Sequence, residues 1–186
     1  MKKILLGMFI ILLVGCSLDL SNSPKERVKE YLDKYKEQDS KVLSDLDESI
    51  GSEYSGDYKD RYKSLMINQY KNLTYEITEE IIEEDEAIVT VDINVYDYAK
   101  ALEYSSSYLS KHKDEFITKT DSEEDSTKAN IDNDKYTKFK LDEMEKVSDR
   151  RKYTINFTLK KNNDNKWELQ QLSNNDIKKI HGLYEE

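Results

Sequence analysis

An α+β fold, with N-terminal helices packed on a curved antiparallel sheet, is predicted by three observations. Apolar residues recur at helical spacing from Val28 to Leu73, then alternate strictly with polar ones from Tyr75 to Val95. Residues 98–148 return to the helical period, and Tyr153 to Leu169 alternate once more. Helical runs followed by hairpin strands, rather than regular helix–strand interleaving, set helices on one face of an antiparallel sheet. The excursion at 98–148 falls between the two strand pairs.

Composition bounds the rest. A chain of 186 residues suits one domain with one core. Its net charge of −10 excludes a nucleic-acid partner, which requires a basic face to displace counterions. A single cysteine excludes an internal disulfide framework and a cysteine-based zinc site. Fourteen tyrosines, against 37% hydrophobic residues in all, assign much of the core to aromatic rings.

Residues 1–15 read as an address. Met1-Lys2-Lys3 is a basic start, Ile4 to Val14 carry no charge, and Gly15-Cys16 follows. As a helix the apolar run reaches only about 16 Å, too short for a hydrocarbon core of ~30 Å. Leu13-Val14-Gly15-Cys16 resembles a bacterial lipobox. The resemblance implies cleavage between Gly15 and Cys16 and a diacylglyceryl group on the Cys16 sulfur, which anchors the protein to the extracytoplasmic face of the cell membrane. Loss of residues 1–15 leaves 171 residues with a charge of −12. Residues 16–22 are then the lipidated cysteine and its tether, and 23–186 the folded domain.

Ser23-Pro24-Lys25-Glu26 starts the first helix, with a capping serine, a proline suited to the first turn and a glutamate completing a capping box. Val28, Tyr31, Leu32 and Tyr35 make its apolar stripe. Val42, Leu43 and Leu46 mark a short second helix, and 51–56 a loop. The third helix sets Tyr58, Tyr62, Leu65, Met66, Gln69, Tyr70 and Leu73 on one side.

Tyr75, Ile77, Glu79 and Ile81 then share one face of a strand, and Glu83 to Glu86 break it. Ala87, Val89, Val91, Ile93 and Val95 line one face of the next, so the two form an antiparallel pair. A helical stretch follows through Leu102, Leu109, His112 and Phe116. Residues 118–135 read as a mobile acidic loop, long for a compact domain. The next helix carries Tyr136, Phe139, Met144 and Val147. Tyr153, Ile155, Phe157 and Leu159 alternate, Asn162 to Asn165 turn, and Trp167 and Leu169 return. Ser173 opens a last helix with Ile177, Ile180 and Tyr184.

The opening segment 23–32 and the closing strands 153–159 and 166–169 resemble the cystatin-like/NTF2-like fold of small, uncharacterised Gram-positive lipoproteins. That resemblance implies helices set into the concave side of the sheet, often around a pocket.

Candidate chemistry is sparse. His112 and His181 are the only histidines, and no spacing pairs them as metal ligands. Asp121, Glu123, Asp125 and Asp132 fit positions one, three, five and twelve of a calcium loop. Ser126 stands where that loop wants glycine and Asp132 where it wants glutamate, so a solvated acidic loop is the reading. No nucleophile elbow, phosphate loop or dinucleotide fingerprint occurs. No catalytic residue, metal or cofactor is therefore assigned. Tyr31, Tyr35, Tyr62 and Trp167 are the candidate ligand cleft, offering stacking surface and hydroxyls. The expected role is a non-catalytic module that binds a small ligand or an envelope protein. The alternatives are an envelope interaction protein using the acidic loop or the helical excursion, and an enzyme with a cleft of Tyr, Asp and Glu.

Overall fold

In a computed structural model of the chain, residues 22–51, 54–118 and 130–185 are described. Gly15 and Cys16, the tether before Asn22, and Asp121, Glu123 and Asp125 lie outside the described residues.

The described residues form six α-helices and a four-stranded antiparallel sheet of order β1-β2-β3-β4. The strands are β1 (Thr74–Glu83), β2 (Glu86–Tyr96), β3 (Arg150–Lys161) and β4 (Trp167–Leu169). The helices are α1 (Pro24–Lys36), α2 (Ser40–Ile50), α3 (Asp57–Asn72), α4 (Tyr98–Lys111), α5 (Asn133–Glu145) and α6 (Asn174–His181). The α+β architecture with helices on one face of the sheet is thus observed.

The pairing of β2 with β3 is the spine. It runs without irregularity from Glu86↔Lys160 to Tyr96↔Arg150. Because side chains alternate, four buried residues of β2 face buried residues of β3: Ala87 with Leu159, Val89 with Phe157, Val91 with Ile155, Ile93 with Tyr153; the fifth, Val95, faces the half-buried Arg151. Against this face pack α1, α3 and α6, contributing Val28, Leu32, Met66, Tyr70 and Ile180, none more than 1% exposed. The α4–α5 excursion packs beside α3 and closes at its base, where the Asp97 amide donates to Asp149 O at 3.1 Å. It therefore leaves and re-enters the sheet between neighbouring strands.

Local chemistry sets the ends. Ser23 Oγ accepts the Glu26 amide, with Pro24 in the first turn. Asp39, Asp97, Asp132 and Ser173 cap α2, α4, α5 and α6 in the same manner. Asp132, the twelfth position of the calcium frame, spends its Oδ1 on the Lys135 amide.

Three expectations need correction. The first strand does not keep one phase: a bulge between Ile77 and Glu79 shifts the register, so Tyr75 and Ile77 face the helices while Ile81 points to the opposite face beside Ile88. The 118–135 loop ends sooner than its acidity suggests, because α5 begins at Asn133 and Ile117 bridges Ile131. On α4 the buried positions are Tyr98, Ala99, Ala101 and Ser105, while Leu102 and Leu109 are only half-buried and His112 lies exposed past the helix end. Small residues there admit the neighbouring helix, a pattern that an apolar periodicity count passes over.

Gln69, fully buried on α3, takes the place of a missing strand partner. Its Oε1 accepts the Tyr96 amide at 2.8 Å and its Nε2 donates to Tyr96 O at 3.0 Å. Gly182 lies against the same groups at φ +71°, and a Cβ there would come within 2.1 Å of Tyr96 O and 2.2 Å of Gln69 Nε2. Gly182→Ala is expected to destabilise the domain by about 3 kcal/mol or more, read as a lowered urea midpoint. Gly56→Ala, where a Cβ meets nothing within 4 Å, should cost about 2 kcal/mol, because φ +53° with ψ −134° is a conformation L side chains avoid.

Candidate functional site

The aromatic residues singled out from the sequence separate into three places. Tyr31 projects from α1 towards β4, and it shares a groove of about 350 Å³ with Trp167. Tyr35 is turned inward from that groove. Its ring lies edge-on to Tyr70 at 5.1 Å, and its hydroxyl is 3.1 Å from that of Tyr31. Tyr62 lies elsewhere, stacked on Tyr54 at 4.8 Å beside a second groove lined by Lys178, Leu183 and Tyr184. The structure therefore brings Tyr31 and Trp167 together, backs them with Tyr35, and leaves Tyr62 apart.

Each wall of the α1–β4 groove follows from local sequence. Arg27, Glu30, Tyr31 and Lys34 fall at i, i+3, i+4 and i+7, one face of α1. The opposite wall is the β3–β4 turn, where Asn162 Oδ1 accepts the amides of Asp164 and Lys166 and fixes how Lys166 and Trp167 emerge. Trp167 is 7% exposed, its amide donates to Asn22 Oδ1, and Lys161 Nζ lies 5.0 Å from its ring. Tyr31 also meets Phe157 of the core edge-on at 6.0 Å, so the groove floor is part of the main core.

The charged groups of this groove divide into partnered and unpartnered ones. Arg27 pairs with Glu30 at 3.0 Å, while its Nε is buried and has no partner among the described residues. Glu168 Oε1 accepts from Asn162 Nδ2 at 2.7 Å and keeps its negative charge. Lys34 and Lys166 have no carboxylate within ion-pair distance among the described residues. Burial holds the Tyr31 hydroxyl far above the usual phenol range, so it acts as a neutral donor or acceptor. The groove thus sets two lysines without an ion-pair partner beside the Tyr31 ring and the edge of the mostly buried Trp167. In the comparable groove between α4 and α5, the lysines are matched by acids, Lys100 with Asp149 and Lys146 with Glu143.

Sequence reading missed Arg27, Lys34 and Lys166. Their signal was present: two sit one helical turn either side of Tyr31, and the third precedes the only tryptophan.

The histidines serve other ends. His112 stacks on Tyr108 at 4.1 Å and lies 3.2 Å from Glu115. His181 Nε2 is 3.0 Å from the Tyr70 hydroxyl, and burial pushes its pKa down to about 4. Among the described residues no three His, Cys, Asp or Glu side chains gather as a metal site, and no helix is long and apolar enough to cross a membrane.

The depressed His181 value fixes the sign of a pH effect. The unfolded chain binds a proton near pH 6.5 that the folded chain refuses until about 4. This contribution is complete above pH 6.5 and is lost as the pH falls towards 4. The full linkage is about 3 kcal/mol, an upper bound because the residue is only partly buried. Thermal unfolding of His181→Gln should show a smaller loss of stability between pH 6.5 and 4 than the parent chain. Equal losses would remove His181 from the account.

No protein-family model and no curated protein matches the chain. Among solved structures, the chain is similar to a candidate lipoprotein of Bacillus subtilis, YcdA, at 20% identity and a TM-score of 0.37, covering 87% of this chain and 47% of that one. The chain spans about half the length of that protein.

Proposed function

We propose that the protein is a lipid-anchored lipoprotein on the extracytoplasmic face of the membrane, and that its α1–β4 groove binds a small organic anion with a flat or apolar face, without catalysing a reaction. The observation that carries the binding role is the pairing of Tyr31 and Trp167 with Lys34 and Lys166, cations left unmatched on a domain of net negative charge. Aromatic faces hold the flat part of such a ligand, and the lysines take its anionic group.

The lipobox supports the anchor. Asn22 lies six residue steps after Cys16, a reach of at most about 20 Å at ~3.3 Å per step. Asn22 bonds directly to the β3–β4 turn, donating to Asn165 O and accepting from the Trp167 amide. The tether therefore joins the domain beside the groove, which holds the groove near the bilayer surface.

Trp167 is the only tryptophan, so its fluorescence reports on the groove alone. Titration with aromatic carboxylates and sugar phosphates is expected to give a saturable change for at least one of them. Lys34→Glu with Lys166→Glu should weaken that binding roughly tenfold or more while leaving the unfolding temperature nearly unchanged. Equal binding of a neutral amide analogue would contradict the anion reading. Separately, Cys16→Ala is expected to move the protein from the membrane fraction to the soluble one and to abolish lipid labelling. A variant that stays membrane-bound would contradict the anchor.

A further inference from the structure

We propose that the outer edge of β1, over residues 79–83, is a docking edge for an extended, lysine- or arginine-bearing segment of a partner protein, which joins the sheet as a fifth strand. The inference rests neither on the groove nor on the anchor.

β1 ends the sheet and pairs only with β2, so its far side carries backbone donors and acceptors unmatched by any strand among the described residues. Before the bulge, Tyr75 and Ile77 are half-buried against the helix layer, and the Tyr75 hydroxyl donates to Asp33 at 2.7 Å. After it, every residue from Thr78 to Glu83 is exposed.

Two isoleucines stand in that exposed run. Ile81 and Ile82 are 43% and 52% exposed, and with Ile88 at 42% they are three of the four exposed large apolar residues described. Their placement selects the mode of docking. Ile81 is on the outer face beside Ile88, and Ile82 is on the inner face beyond the helices. A partner laid on one face would cover only one of the two. A strand added at the edge sends side chains alternately to both faces and meets both.

Charge selects the occupant. Residues 72–99 contain nine acids and no Lys or Arg. Asp92, Glu86 and Asp85 are neutralised by Lys152, Lys160 and Lys161 of β3, and Glu80 accepts the Lys25 amide at the start of α1. The carboxylates of Glu79 and Glu83 have no basic side chain within ion-pair distance among the described residues, whereas Lys161 Nζ donates to Glu84 O at 3.1 Å. A second copy of β1 would set glutamate against glutamate. A bilayer would meet the acidic turn of residues 83–86 before it met either isoleucine, which is unfavourable in hydrocarbon. An extended segment with cationic and apolar residues satisfies the backbone, the isoleucines and the glutamates together.

The test uses the membrane-extracted full chain in non-ionic detergent and labelled peptides about seven residues long. A peptide of alternating Lys and Val should bind, and its Glu–Val counterpart should not. N-methylation of one alternate set of its amides should abolish binding, whereas methylation of the other set should leave it, since only one set faces the edge. Glu79→Lys with Glu83→Lys should weaken binding roughly tenfold or more. Amides of residues 79–83 should exchange more slowly in the complex. Equal binding of both methylated peptides would reduce the interaction to charge adhesion and overturn the proposal, as would unchanged affinity of the charge-reversed variant. So would loss of binding of the Cys16→Ala chain to neutral phosphatidylcholine vesicles on adding Ile81→Ser with Ile82→Ser when the peptide affinity stays the same.

Discussion

The eleven-residue pairing of β2 with β3 is the interaction on which the remainder depends. Its inner face supplies eight buried residues in direct cross-strand pairs, and α1, α3 and α6 pack on β2 within that face. Because the ladder is unbroken, it also fixes the positions of its neighbours. β1 is held on one side until the bulge releases it from the helices, and β4 is held on the other, where three residues suffice to present Trp167.

Low aliphatic content explains how the layers are joined. Tyr31, Tyr35 and Tyr70 follow one another from the groove into the core, and Tyr70 ends on His181. Each ring contributes the apolar area of a core side chain, and each hydroxyl needs a partner once desolvated. The partners are one another, a histidine, a carboxylate, as with Tyr75 and Asp33, or the main chain, as with Tyr98 Oη donating to Leu65 O and Tyr153 Oη to Tyr184 O. A core of this kind is specific in register, because a displaced tyrosine forfeits a hydrogen bond as well as packing.

Much of this was legible in the sequence, and the failures have physical causes. Alternation in 87–95 and 153–159 placed the spine and its buried face, since β2 and β3 never break phase. Ser23, Pro24 and Ser173 marked helix starts because capping is a local interaction. Ile81 was placed on the wrong face, because a bulge inserts one residue and leaves no reliable trace in composition. The buried face of α4 was missed because Ala and Ser fill it. Of the groove, Tyr31 and Trp167 were found, but their cations were not. Tyr62 was grouped with them although α3 carries it to a different surface, since helical spacing says which side a residue faces and not what stands opposite.

Native-state hydrogen exchange tests the central claim that one cooperative core on β2 and β3 leaves the end of β1 uncovered. The account predicts that amides of Val89, Val91 and Ile93, with Ile155 and Phe157, exchange only through global unfolding. It predicts that amides of residues 79–83 facing away from β2 exchange orders of magnitude faster, through local opening. Protection of those β1 amides equal to that of β2, or slower exchange in α4 and α5 than in β2 and β3, would contradict it.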